Sequence, residues 1–240
     1  MGISEKLFMA KAQKVFLNPS PLYDYDSIVE GCIVKDKFDD EWTMRAIDRS
    51  IWRGFHRIDC NEDGAKNIYV GYLIKNKTKI IGAIKKINNL DELNKFSDNL
   101  CSEVQALLKK TIKNDKLVYN RIRVPIDLFL EHVISMAKEL NCCRKKLIPF
   151  LFVPLDEHTI EKCFTPIELM KEDSKSITTI ADIDSIDEYD RLQKILYKKS
   201  IERTKEYGEK YYRIYSELLW HDRYKNCSGG NLFETNLLYK

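Results

Sequence analysis

The stretch IYVGYLIKNKTKIIGAIKKI, residues 68–87, decides the fold class that the sequence predicts. β-Branched and aromatic residues dominate its two ends, and the polar residues 75–78 separate them. Such runs favour extended strands, and a four-residue polar connection between two of them is typical of a β-hairpin. We therefore predict a β-hairpin near residues 68–87.

Most of the remaining chain is predicted to be helical. Apolar residues at helical spacing predict helices over 4–17, 39–53, 90–113, 125–140, 156–171 and 186–222. Apolar runs predict further strands over 147–155 and 176–183. The last helix would span roughly 50 Å at 1.5 Å per residue, which exceeds a small domain and suggests a partner, a break near Gly208, or both. The predicted fold class is α+β and helix-rich, with the hairpin and a long C-terminal helix. We predict that residues 1–240 form one domain, with 186–240 as a candidate helical extension.

Composition excludes several classes of protein. The chain has 240 residues, of which 44% are hydrophobic, and its 13 Tyr and 10 Phe are atypical of disordered chains. No apolar run approaches the length of a membrane span, so we expect no membrane association. The seven cysteines are odd in number and include no C-x-x-C motif, and residues 1–6 do not resemble a signal peptide. We expect an intracellular, cytoplasmic protein.

Charge is distributed unevenly along the chain, although the net charge is only +3. Residues 60–125 carry 13 basic and 7 acidic side chains, and the next block, 126–190, carries 7 and 14. Cations interleaved with aromatic residues can follow a phosphate backbone while the rings stack on bases. The predicted contacts to RNA or DNA are Lys75, Lys77, Lys79, Lys85, Lys86, Arg121 and Arg123. The alternative is a solvated face whose charges pair within the fold.

Asp182 and Asp184 begin an acidic run at the end of a predicted strand. Side chains alternate along a strand, so both carboxylates would share one face and could bind Mg²⁺. The two aspartates are therefore candidate metal ligands and catalytic residues for metal-assisted phosphodiester chemistry. In the alternative interpretation, Ser185 and Glu188 form a capping box and the acids lie at the positive end of the next helix.

A second chemical candidate is the stretch RSIWRGFHR, residues 49–57. An arginine that binds phosphate and a histidine that moves a proton form a minimal ribonuclease pair, which makes Arg53 and His56 candidate catalytic residues. Over Arg49 to His56 the chain resembles the R-x(4–6)-H motif of a family of helical RNA-cleaving domains. Trp52-Arg53-Gly54 is similar to an element of ADP-ribosyltransferases, but that family's later Ser-Thr-Ser and Glu-x-Glu elements are not found. In the alternative interpretation these arginines pair with nearby acids.

Three functional hypotheses follow from these observations. The leading one is binding of nucleic acid or a nucleotide, with metal-assisted phosphodiester chemistry as an extension. The second is a non-catalytic interaction or assembly protein that forms homo-oligomers through its long, tyrosine-rich C-terminal helix. The third is a motif-poor transferase or ribonuclease that uses Arg53 and His56. Phosphate-loop, dinucleotide and G-x-S-x-G fingerprints are absent from the sequence, so whether the chain is an enzyme stays open.

Overall fold

The computed structural model describes residues 3–19, 22–30, 64–112 and 117–219. The α-helices within these ranges are α1 (Ile3–Phe16), α2 (Tyr25–Glu30), α3 (Gly64–Lys75), α4 (Lys77–Lys86), α5 (Leu90–Leu108), α6 (Tyr119–Met136), α7 (Arg144–Leu147), α8 (Glu157–Cys163) and α9 (Ile186–Tyr207). Short 3₁₀ turns occur at Lys138–Leu140, Ile148–Phe150, Ile180–Asp182 and Arg213–Leu219. Among the described residues, no helix is both long enough and apolar enough to cross a lipid bilayer.

The predicted β-hairpin is wrong, because residues 68–87 fold into α3 and α4. The same apolar residues serve helical faces: Tyr69 and Leu73 are buried four positions apart in α3, and Ile80 and Ile84 in α4. Packing of these faces overrides the β-propensity of the individual residues. At Asn76 the main-chain N–H still donates to the Tyr72 carbonyl, so the polar connection continues helical bonding. The α+β class is therefore corrected to an all-helical architecture for the described residues, where no sheet is found.

The two other predicted strands are also wrong. Residues 151–156 adopt no regular secondary structure, and no strand among the described residues pairs with them. The buried amide of Gln193 takes that role: its Oε1 accepts from Val153 N at 3.3 Å and its Nε2 donates to Val153 O at 2.6 Å. Over 176–183 the chain makes an isolated bridge from Ser176 to Met170 and then a 3₁₀ turn.

Helix α6 forms the centre of the described structure. Every residue from Ile122 to Met136 is buried, and α1, α2, α5 and α7 all contact this helix. A helix that is buried on all sides is the core of its domain. The sequence predicts that this helix starts at Pro125, but it begins six residues earlier, at Tyr119.

The C-terminal helix ends where a break was expected. Helix α9 stops at Tyr207, and Gly208 caps it in the left-handed conformation, with φ of 68°. Twenty-two residues span about 33 Å, so the predicted continuous helix over 186–222 is too long. Beyond Gly208 the chain turns back, and the rings of Tyr211 and Tyr215 stack on Phe8 and Phe16 of α1. Tyr211 and Tyr215 therefore pack within the molecule.

Two glycine substitutions test this helical assignment. Gly82 lies inside α4 with open space around an added Cβ, so Gly82→Ala should raise the free energy of unfolding by about 0.5–1 kcal/mol. Gly208→Ala should lower it by about 1 kcal/mol, because φ of 68° is unfavourable for alanine. Urea denaturation measures both. A loss of stability for Gly82→Ala would contradict the helical assignment of 77–86.

Candidate nucleic-acid interface

An open groove of about 610 Å³ lies between α3 and the C-terminal end of α5. We call it the α3–α5 groove; its lining residues are Ile68, Gly71, Tyr72, Lys75, Asn76, Glu103, Ala106, Leu107 and Lys110. On each wall these residues are mostly three or four positions apart, which places them on one face of their helix. Gly71 has no side chain, and the space beside it is open: a Cβ added there would meet no atom within 4 Å.

The groove carries more positive than negative charge. Lys75 and Lys110 are exposed on opposite walls, and neither has an acidic partner among the described residues. The groove's acid, Glu103, is already engaged: it accepts from the Tyr72 hydroxyl and lies 3.1 Å from Lys79 Nζ. The hydrogen bond from Tyr72 and the ammonium of Lys79 hold the pKa of Glu103 below its usual range. Two lysines are thus left to attract an anion.

The other predicted lysine contacts lie outside the α3–α5 groove. Lys77 faces Asp26 at 2.6 Å and Glu139 at 3.8 Å, and the hydrogen bond to Asp26 raises the pKa of the lysine. Lys85 and Lys86 are exposed at the opposite end of α4, beyond Lys79. The predicted basic set is therefore divided among separate places on the surface.

Arg121 and Arg123 differ in exposure, although both belong to α6. Arg121 is half-buried, and its Nε has no hydrogen-bond partner in the described structure. Arg123 is fully buried: its Nε donates to Asp127 at 2.8 Å and its Nη1 to Asp98 at 2.6 Å. Because these donors are used inside the core, Arg123 is removed from the predicted nucleic-acid contacts.

The buried cluster around Arg123 is a feature that the sequence reasoning missed. The Tyr189 hydroxyl donates to the second carboxylate oxygen of Asp127 at 2.6 Å, and the guanidinium lies 4.6 Å from the Tyr189 ring centre. The cluster joins α5, α6 and α9. A signal was present, since Arg123 and Asp127 lie four positions apart in an otherwise largely apolar segment.

The strand that would align Asp182 and Asp184 on one face is absent, because residues 180–182 form a 3₁₀ turn. Asp182 Oδ2 accepts from the main-chain N–H groups of Thr178 and Thr179 at 2.8 and 2.7 Å and from both hydroxyls. Burial raises the pKa of Asp182, but these hydrogen bonds outweigh burial and lower it overall. Asp184 is exposed, 3.3 Å from Lys171 Nζ. Ser185 caps α9 by accepting from Glu188 N, which is one half of the expected capping box, whereas the Glu188 carboxylate accepts from Arg191.

Mg²⁺ binding and catalysis by these aspartates stay predictions. In the part of the chain that the structure describes, no group of three or more His, Cys, Asp or Glu side chains is arranged to hold a metal ion. Arg53 and His56 lie outside the described residues. The α3–α5 groove and its two unpaired lysines are thus the candidate site among the described residues.

Comparison with protein-family models, curated proteins and solved structures finds no match for this chain.

Paired substitutions separate the two aspartates. Asp182→Ala should lower the free energy of unfolding at pH 7 by about 1 kcal/mol, because the turn loses the acceptor of its capping box. Asp184→Ala removes a solvent-exposed ion pair and should cost only a few tenths of a kcal/mol. Denaturant unfolding of both variants measures the difference.

The pH dependence of the Asp182 effect has a definite sign. The carboxylate has a lowered pKa in the folded state, so its contribution is complete above the unfolded value of about 3.9 and is lost as the pH falls through the folded value. The deficit of Asp182→Ala should therefore shrink below about pH 4. A deficit that persists unchanged at pH 2 would show that the carboxylate charge is not involved.

Proposed function

We propose that this protein binds nucleic acid in the α3–α5 groove. The observation that carries the proposal is the placement of Lys75 and Lys110 on opposite walls, each without an acidic partner in the described structure, with Tyr72 beside them. Phosphates that contact these ammonium groups would release condensed counterions, which is the main source of affinity for nucleic acid. The proposal concerns binding and includes no chemical step.

The lining of the groove favours unpaired bases over a duplex. Ile68 and Leu107 add apolar surface beside the Tyr72 ring. Unpaired bases offer their flat faces to such surfaces, whereas in a duplex those faces are stacked and only the edges are accessible. Gly71 leaves room at the wall for a base to approach the helix backbone. We therefore favour single-stranded RNA or DNA as the ligand.

The charge test uses a double variant and a matched control. Lys75→Gln/Lys110→Gln should weaken binding of a fluorescent single-stranded oligonucleotide, measured by anisotropy at several salt concentrations. If two phosphate contacts are lost, the slope of log affinity against log salt should become shallower by about 1.4. The control, Lys194→Gln/Lys198→Gln, removes the same charge from exposed positions on α9 and should leave the slope unchanged.

Two results would overturn the proposal. One is the absence of detectable binding at low salt, where counterion release makes binding strongest. The other is an equal loss of affinity in both double variants, because the effect would then reflect net charge and not the groove.

A second test changes shape without changing charge. Gly71→Met directs a side chain into the open space of the groove and should weaken oligonucleotide binding. Gly82→Met makes the same substitution at a helical glycine outside the groove lining, and its affinity should match that of the unmodified protein. If Gly71→Met binds as tightly as the unmodified protein, the ligand does not occupy the α3–α5 groove.

Assembly through the C-terminal helix stays a prediction. Its main motivation was an oversized helix rich in tyrosine, and α9 is shorter than expected. Tyr211 and Tyr215 stack on α1 of the same chain, so their spacing has an explanation within the fold.

A further inference from the structure

A second cavity, of about 440 Å³, lies on the side of the molecule formed by the C-terminal half of α9. Leu90 at the start of α5, the 3₁₀ turn Ile148–Phe150 and the segment 210–213 complete its walls. Four aromatic residues line it, namely Phe150, Tyr197, Tyr211 and Tyr212. A largely apolar cavity of this size, with a few polar groups, is typical of a site for a small ligand.

Arg213 is a buried cation in the lining of this cavity. It is 4% exposed, and its Nε and Nη2 donate to the main-chain carbonyls of Leu151 and Phe150, both at 2.8 Å. Its guanidinium lies 4.1 Å from the ring centre of Phe152. No carboxylate among the described residues forms an ion pair with it, and burial lowers its pKa to about 10. The positive charge is therefore held at a cost, with only neutral acceptors in direct contact.

Two other buried arginines in this fold use all three guanidinium nitrogens as hydrogen-bond donors. Arg123 donates from Nε, Nη1 and Nη2, and two of its acceptors are carboxylates. Arg144 also donates from all three nitrogens, to the carbonyls of Ile134 and Ala137 and to the side chain of Asn141. In Arg213, by contrast, Nη1 makes no hydrogen bond within the described structure. That unused donor belongs to a residue that lines the cavity.

The remaining polar groups favour an anion with an apolar body. Lys210, also in the lining, is exposed and has no acidic partner in the described residues. The hydroxyls of Ser200 and Thr204 already donate to carbonyls of their own helix, at 2.7 and 2.8 Å, so they are poorly placed to donate to a sugar or another polar ligand. Tyr197 and Ile201 lie one turn apart on α9 with 52% and 41% of their surface exposed. Contiguous exposed apolar surface marks a binding site more often than single apolar residues scattered over the surface do.

We propose that this cavity binds a small carboxylic acid with an aromatic or aliphatic body. The carboxylate pairs with Arg213 and Lys210, and the body packs against Phe150, Tyr197 and Ile201. A carboxylate matches the guanidinium well because charge-assisted hydrogen bonds are the strong ones. The site is separate from the α3–α5 groove and does not depend on the proposed nucleic-acid binding.

Indole-3-acetate and its uncharged analogue indole-3-acetamide test the proposal by isothermal titration calorimetry. The two probes share a ring system and differ in the carboxylate, so the acetate should bind at least about ten-fold more tightly, as expected for one charge-assisted contact. Octanoate and octanamide repeat the comparison with an aliphatic body. Equal affinity of acid and amide in both pairs, or no binding of either acid up to about 5 mM, would overturn the proposal.

Variants locate the binding without disturbing the buried guanidinium, whose loss would remove two bonds to the main chain. Ile201→Trp fills the cavity from an exposed position and should abolish binding of the acid that binds. Ile186→Trp, at an equally exposed isoleucine outside the lining, should leave binding unchanged. Lys210→Gln should weaken binding several-fold, and Lys205→Gln, outside the lining, should not. Undiminished binding to Ile201→Trp would show that the acid binds elsewhere.

Discussion

The ion pair between Arg123 and Asp127 is the constraint on which the described arrangement depends. Both groups are buried in α6, where charges are tolerated only if their hydrogen bonds are satisfied. Asp98 of α5 and the Tyr189 hydroxyl of α9 complete that satisfaction. A shift of either helix along α6 would take one of these hydrogen bonds from the buried pair, and a hydrogen bond to a charged group contributes about 1.5–3 kcal/mol. The cluster therefore fixes the position of α5 and α9 relative to the core.

Helix α3 is held to the same core by tyrosine hydroxyls. Tyr69 of α3 donates to the Pro125 carbonyl at 2.8 Å, and Tyr25 of α2 donates to the Leu73 carbonyl at 3.1 Å. Buried hydroxyls need such partners, so these bonds select one rotation of α3 about its axis. That rotation turns Tyr72 and Lys75 toward α5. Both walls of the α3–α5 groove are thus positioned by buried hydrogen bonds to residues outside its lining.

Sequence reasoning succeeded where local chemistry decides the structure. The helix over 90–113 and the break near Gly208 are confirmed in substance, and the Ser185 cap was recognised as an alternative. These features depend on neighbours a few positions apart, namely helical spacing, a left-handed glycine and a side chain that caps the next turn. The end of α5 at Leu108 lies five residues before the predicted end.

The prediction of a hairpin is wrong because contacts with residues distant in the sequence decide the structure of this segment. Residues 68–87 are apolar enough on several faces that periodicity fits a strand or a buried helix, and contacts with α2, α5 and α6 decide between them. The run 147–155 misled for a related reason. Its irregular part at Val153 is completed by the side chain of Gln193, forty positions away, and no pattern within the run indicates that partner.

The net charge of a sequence block is a weak guide to a binding site. Whether each cation in the block is paired with an acid in the fold is a stronger guide. Lys77, Lys79 and Arg123 all belong to the basic block, yet each is matched by an acid in the fold. Lys75 and Lys110 are exposed to solvent, so leaving them without an acidic partner costs little free energy, and neither residue alone indicates a function. Their relevance comes from geometry, since both line the α3–α5 groove, on facing walls around Tyr72. Arg213 is the reverse case: a buried cation without a carboxylate is costly by itself, and the cavity beside it offers the place where an anion would relieve that cost.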